Sequence, residues 1–170
     1  MLSLSSVKIG TRMLIIVAGA VLAVLLVGAF GLTELRQNML EDRKTKTKNL
    51  VESTINLIGH YHALEQSGEM TTEEAQNAAK GAVAALRYDE KNYFFVFDHT
   101  PVLLIHDIKK DLVGKNLTDN VDGSGKFLYR EFVRVAEEKG EGFVDYTYKV
   151  PNSDDLRPKL SFVKDFKPWG

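Results

Sequence analysis

An α+β protein is expected, with helices first and an antiparallel sheet after them, because the spacing of apolar residues changes along the chain. Up to Leu86 the spacing is helical: an uncharged run from Met13 to Leu32, a loose stripe after it, and an alanine-rich face beyond Gly68. From Tyr93 onward it alternates every second residue, in Tyr93 to Phe97, Phe143 to Val150 and Lys159 to Phe166. Only one helical stretch, from about Lys126 to Lys139, interrupts the second part.

The run MLIIVAGAVLAVLLVGAFGL, Met13 to Leu32, carries no charge. As a helix it is ~30 Å long, the hydrocarbon thickness of a bilayer. A cleaved signal peptide is the rival, but its apolar region runs to only ~7 to 15 residues, and the small residues here are scattered rather than placed after the segment. A membrane helix over 13–32 is therefore expected. Lys8 and Arg12 precede it, which keeps residues 1–12 cytoplasmic and puts 34–170 outside, in the periplasm or beyond, with the anchor in the bacterial inner (cell) membrane. Arg36, Arg43, Lys44, Lys46 and Lys48 weigh the other way, although large domains translocate largely regardless of charge.

From Glu34 to Glu65 there is no proline, and Leu35, Met39, Leu50, Leu57, Ile58, Tyr61 and Leu64 form a helical stripe. A long helix is expected there, with the charged run Glu41 to Lys48 as a solvated face rather than a lipid-headgroup site. Thr71 and Glu74 have capping-box spacing and start a second helix. Its face of Ala75, Ala78, Ala79, Ala82, Val83 and Leu86 suits close packing on the long helix. Next, Asp98-His99-Thr100-Pro101 is the turn of a hairpin whose strands are Tyr93 to Phe97 and Val102 to Ile105. Tyr93, Phe95 and Phe97 share one face, Phe94 and Val96 the other, so both faces are apolar and both are covered. Asp107 to Gly125 reads as loop, Gly140 as the stop of the inserted helix, and PNSDD as the turn between the last two strands.

Composition excludes several functions. The 170 residues give room for one domain and an appendage, and 44% hydrophobic with 26% charged residues fits a folded chain. A net charge of −1 with no long basic run offers nucleic acid no footprint. Cysteine is absent, which removes thiol catalysis, disulfides and cysteine-rich zinc sites.

The alternation sends Tyr93, His106 and one face of Lys159 to Val163 toward a space that Arg87, six residues before Tyr93, also reaches. These are hydrogen-bond donors, two of them cationic, and together they describe a small anion site. Each also has a plain structural role open to it: Arg87 capping carbonyls, His106 closing a strand, Lys159 solvated. Asn120, Asp122, Ser124, Gly125 and Glu131 fit a calcium-loop template only in part, and DLVGKNLT before them is poor helix, so no metal is expected. Ser161 beside Lys159 lacks an oxyanion hole or third partner.

RYDEKNYFFVFD, LIH, DLVGKNL, DGSG, FVRVAEEKGEGFVDYTY and PKLSFVKDFKPWG, in this order and spacing, resemble the single Cache domain of the second type over Glu34 to Gly170. That module is the extracytoplasmic ligand-binding part of bacterial chemoreceptors, the methyl-accepting chemotaxis proteins, and of related sensor kinases. The resemblance implies a PAS-like antiparallel sheet with a pocket for a small carboxylate such as acetate, propionate, lactate or pyruvate. Its ligand-binding residues would be Arg87, Tyr93, His106 and Lys159, walled by Phe95, Tyr146 and Tyr148. The family commonly has proline after the histidine; here Asp107 follows. The resemblance further implies a homodimer, no cofactor and no catalysis, with the last strand, a second membrane span and the signalling modules lying past Gly170, so that this piece binds without completing a signal. The alternatives are the input domain of a membrane histidine kinase or cyclase, and an anchored hydrolase using His106 with Asp98 or Asp107.

Overall fold

The computed structural model describes residues 8–89, 92–149 and 155–170. The first seven residues of the expected cytoplasmic segment, Val150 at the end of an expected strand, and all but Asp155 of the expected PNSDD turn lie outside the described residues. The chain forms two compact units, 1–45 and 46–170.

Helix α1 runs Ile9–Gln66, one element where the sequence suggested a membrane helix and a second helix after it. The continuity has a local cause: Thr33, at the expected boundary, donates its hydroxyl to the Phe30 carbonyl 2.7 Å away instead of capping a new helix. In the first unit the large apolar side chains from Met13 to Leu32 are exposed, and the segment is long and apolar enough to cross a membrane.

In the second unit α2 (Thr72–Ala85) begins at the predicted capping box, with Thr71 Oγ1 accepting from the Glu74 N–H and the Glu74 carboxylate accepting from the Thr71 N–H. Ala75, Ala79 and Val83 are buried, and α2 packs against β4 (Leu103–His106). Strands β1 (Arg87–Tyr88) and β2 (Asn92–Tyr93) form one short antiparallel ladder. Strand β3 (Phe95–Phe97) pairs with β4, Phe95 opposite His106, with a bulge between Val96 and Phe97. The expected loop after His106 holds one 3-10 turn, Lys110–Leu112. Helix α3 (Leu128–Lys139) ends at Gly140, whose φ of +78° is the left-handed conformation that a glycine stop permits. Strands β5 (Glu141–Lys149) and β6 (Leu156–Lys164) form the longest ladder, with Tyr146 opposite Lys159.

The core lies between α3 and these ladders: Leu103, Leu117, Leu128, Tyr129, Phe132, Val135, Val144 and Val163, with Phe95, Phe97, Leu112 and Tyr146 packed against them. At Gly142 a Cβ would come within 2.7 Å of Val135 Cγ1, so glycine allows β5 to lie this close to α3. As expected, both faces of β3 are covered, but the cavity lies on the side of α1 and α2 rather than under the inserted helix. Phe95 and Phe97 meet Phe132 of α3, while Val96 borders a cavity shared with Val51, Ile55, Ala79 and Val83 of α1 and α2.

The expected continuous sheet is present as three separate two-stranded ladders. The reason is that cavity, of about 500 Å³. Every residue from Asn92 to His99 and from Lys159 to Phe166 lines it, both alternating faces included, so it is the strand edges that border the space. Among the described residues β3 bonds only to β4 and β6 only to β5, which leaves the other edge of each toward the cavity.

Two polar clusters fix the remaining elements. Lys48 and Lys164 both reach Glu141, each at 2.5 Å, and Glu52 lies 3.7 and 3.5 Å from them, tying α1 to β5 and β6. The C-terminal turn is held by the Trp169 indole N–H donating to Glu65 Oε2 at 2.7 Å, by the His62 ring against Phe166 and Trp169, and by the His99 N–H donating to the Gly170 carbonyl.

Candidate functional site

Five of the ladders' strands, β2 to β6, and α3 bring most of the expected residues together. The Tyr93 ring lies 4.9 Å from that of His106, and the Phe95 ring 6.1 Å from it on the other side. The Lys159 ammonium sits over Tyr148, 4.6 Å from its centroid, and 6.0 Å from the Tyr93 ring. Tyr146, opposite Lys159 in the ladder, accepts a 3.3 Å hydrogen bond from the Ser161 hydroxyl and stands edge-on to Phe132. The result is an aromatic floor of Phe95, Phe132 and Tyr146 carrying the polar ends of Tyr93, His106, Tyr148 and Lys159.

His106 is only 9% exposed, and its protonation is set by backbone. The N–H groups of Ile108 and Lys109 donate to its Nδ1 at 3.2 and 3.0 Å. That nitrogen is therefore an acceptor, and the neutral ring carries its proton on Nε2 as a fixed donor. Burial, followed by the charges of Lys109 and Lys159, lowers the ring's pKa from 6.5 to about 4. Burial pushes the Tyr93 phenol up to about 12, so it too keeps its proton. Lys159 is exposed as a residue, but partial desolvation of its ammonium and the charge of Lys109 shift it below the ordinary lysine value. The site is cationic and rich in donors.

A pH dependence follows. Between pH 6.5 and about 4 the unfolded chain protonates this histidine and the folded chain does not. Stability is thus fully present above pH 6.5 and falls as pH drops toward 4, by at most about 3 kcal/mol. Melting curves of the parent and a His106→Gln variant at pH 7 and 4.5 should show a smaller acid-induced loss in the variant; equal losses would contradict the assignment.

Arg87 stands apart. It is exposed, its Nη1 donates to the carbonyls of Ala84 and Leu86 at 2.7 and 2.6 Å, and its Nη2 lies 2.5 Å from Asp107 Oδ1. It caps the end of α2 and pairs at the rim. The 500 Å³ cavity includes Tyr93, Phe95, Tyr146 and Lys159 in its lining but not His106, Tyr148 or Arg87, so the cluster sits at its margin rather than filling it.

The weaker motifs take structural roles. Asp122 accepts from the N–H groups of Ser124, Lys126 and Thr147 and from the Ser124 hydroxyl, which holds its carboxyl well below the usual range. Glu131 of the same template is engaged by Arg134. Asp98 accepts from Thr100 and Val102 and shapes the hairpin turn. With Asp107 on Arg87 and backbone on Nδ1, no carboxylate among the described residues orients His106 as a base. Three participants were missed in the sequence. Phe132 was visible in the i, i+4, i+7 stripe of Leu128, Phe132 and Val135, whereas the backbone donors of Ile108 and Lys109 leave no mark in residue identity.

Comparison with known proteins identifies the family. The Cache domain model dCache_2 matches residues 31–170. A solved periplasmic sensor domain of a chemotaxis protein is 42% identical, with a TM-score of 0.73 over 78% of this chain and 92% of that one. A structure described as the basis for carboxylic acid recognition by a Cache chemosensory domain is 30% identical, with a TM-score of 0.72 over 79% and 91%. The methyl-accepting chemotaxis protein McpP of Pseudomonas putida is 29% identical over 99% of this chain and 31% of its own length. The chain thus spans about a third of that relative. The matches over 31–170 and the fold they share show that the chain belongs to the Cache domain family, among relatives that serve as chemosensory sensor domains.

Proposed function

We propose that this chain is the input part of a chemoreceptor, binding a small carboxylate and passing a conformational signal across the inner membrane. The convergence of Tyr93, His106 and Lys159 on one aromatic floor carries the reading, since two neutral donors and an ammonium suit one carboxylate. The relative whose description names carboxylic acid recognition supports it. In this reading residues 13–32 span the membrane, the domain beyond them lies in the periplasm, and two copies pair through the long helix. Ligand closure shifts an existing two-state equilibrium that α1 conveys as a small displacement. Titration calorimetry of the full chain in detergent micelles should give binding of acetate, propionate, lactate or pyruvate, with no turnover of model esters. Ester turnover abolished by His106→Ala, without carboxylate binding, would instead identify a hydrolase. The chain has no native cysteine, so thiols introduced along α1 would report helix displacement cleanly, and crosslinking unchanged by ligand would count against the signal.

A second output is favoured by one observation. The sensor histidine kinase MctS of Rhizobium johnstonii is 26% identical over 78% of this chain. The same module then serves a kinase, and the ligand experiment is unchanged.

A further inference from the structure

We propose that Asp107 is an internal carboxylate that occupies Arg87 and thereby restricts the site to ligands with a single carboxylate. The inference rests on the carboxylate reading of the Tyr93, His106 and Lys159 cluster. Arg87 and Tyr93 are cross-strand partners in the β1–β2 ladder, so their side chains leave the same face. The Lys159 ammonium lies 6.0 Å from that same Tyr93 ring. One cation thus lies beside the Tyr93 ring and a second belongs to its cross-strand partner, an arrangement that offers a charge to each end of a ligand with two anionic groups.

Their states differ. Among the described residues Lys159 has no carboxylate partner, whereas Arg87 lies 2.5 Å from Asp107 and is held there by the two carbonyls at the end of α2. Asp107 directly follows His106 in the chain, so its pair with Arg87 sits beside the cluster. A carboxylate tethered in this way competes at an effective concentration of at least roughly millimolar. A second carboxylate on a ligand must displace it from Arg87 and then sit beside its negative charge. A monocarboxylate engages Lys159, His106 and Tyr93 and leaves the pair intact. Discrimination here comes from a repulsive group built into the rim.

The test is calorimetry of the full chain with acetate and propionate against malonate and succinate, on the parent, Asp107→Asn, and the double variant Arg87→Ala/Asp107→Asn. The single variant should bind malonate or succinate at least about tenfold more tightly than the parent, while acetate and propionate change by less than about threefold. The double variant should lose the gain, because no guanidinium remains to receive the second carboxylate. Since the pair is on the surface, melting midpoints should stay close to the parent's. A ratio of dicarboxylate to monocarboxylate affinity unchanged by Asp107→Asn, or a gain that survives in the double variant, overturns this inference alone. Failure of every carboxylate to bind the parent and both variants removes the functional reading and this inference together.

Discussion

Replacing Phe132 by alanine will destabilise the folded domain by about 3–5 kcal/mol, the range for deleting a buried aromatic ring. Phe132 is 1% exposed and touches four other rings, those of Phe95, Phe97, Tyr129 and Tyr146, at centroid distances of 5.5 to 5.8 Å. Those neighbours come from β3, α3 and β5, so collapse into the vacated space must move three elements at once, and little of the cavity will close. Phe132→Leu keeps most of the volume and should lose much less. Denaturant unfolding of the full chain in micelles, followed by the fluorescence of the single tryptophan, Trp169, provides the readout. A loss below about 1 kcal/mol for the alanine variant would mean that the ring cluster does not hold these elements together.

The second large effect concerns binding. A ligand of acetate or lactate size has ~4 to 6 heavy atoms and gains at most about 6 to 9 kcal/mol, so its dissociation constant should be roughly micromolar or weaker. With so few contacts, a charge-assisted hydrogen bond supplies a large share, and removing one such donor costs ~1.5 to 3 kcal/mol. Lys159→Ala should therefore weaken acetate or propionate binding by at least roughly tenfold. Its ammonium rests on the rings of Tyr148 and Tyr93 rather than in the core, so the variant should still fold. Arg87→Ala should have a smaller effect on monocarboxylates, because its guanidinium is held by Asp107 and two carbonyls. Unchanged acetate affinity in both variants would mean that the anion site lies elsewhere.

Local order was readable where the chain states it locally. The Thr71–Glu74 box and the Gly140 stop are each specified by residues within a few positions of one another and stand where expected, whereas the expected strand from Tyr93 to Phe97 is broken at Phe94 and the last strand runs Leu156–Lys164 rather than to Phe166. The gathering of Tyr93, His106 and Lys159 was legible for the same reason, since strand alternation fixes a side chain's face once the strand is placed. The environment of each was not. That Arg87 would turn to Asp107 depends on where β1 ends relative to the loop after β4, twenty residues on, and no pattern in the sequence encodes that distance. Pairing between strands far apart in sequence was the least legible, because the alternation of β3 and β6 names their faces but not which edge each presents to which neighbour.

Those unpaired edges have a practical side. An extended strand with free N–H and C=O groups is a template for any other extended chain, including that of another molecule. The cavity-facing edges of β3 and β6 are of this kind among the described residues. At the concentrations used in purification, an extended segment of a second molecule that enters the cavity is therefore expected to pair there, by a route unrelated to the helix pairing of a receptor. A doubled mass in light scattering would report either event. Intermolecular strand pairing adds β-sheet absorption in the infrared as concentration rises, whereas helix pairing does not, and that difference tells a sticky preparation from a physiological dimer.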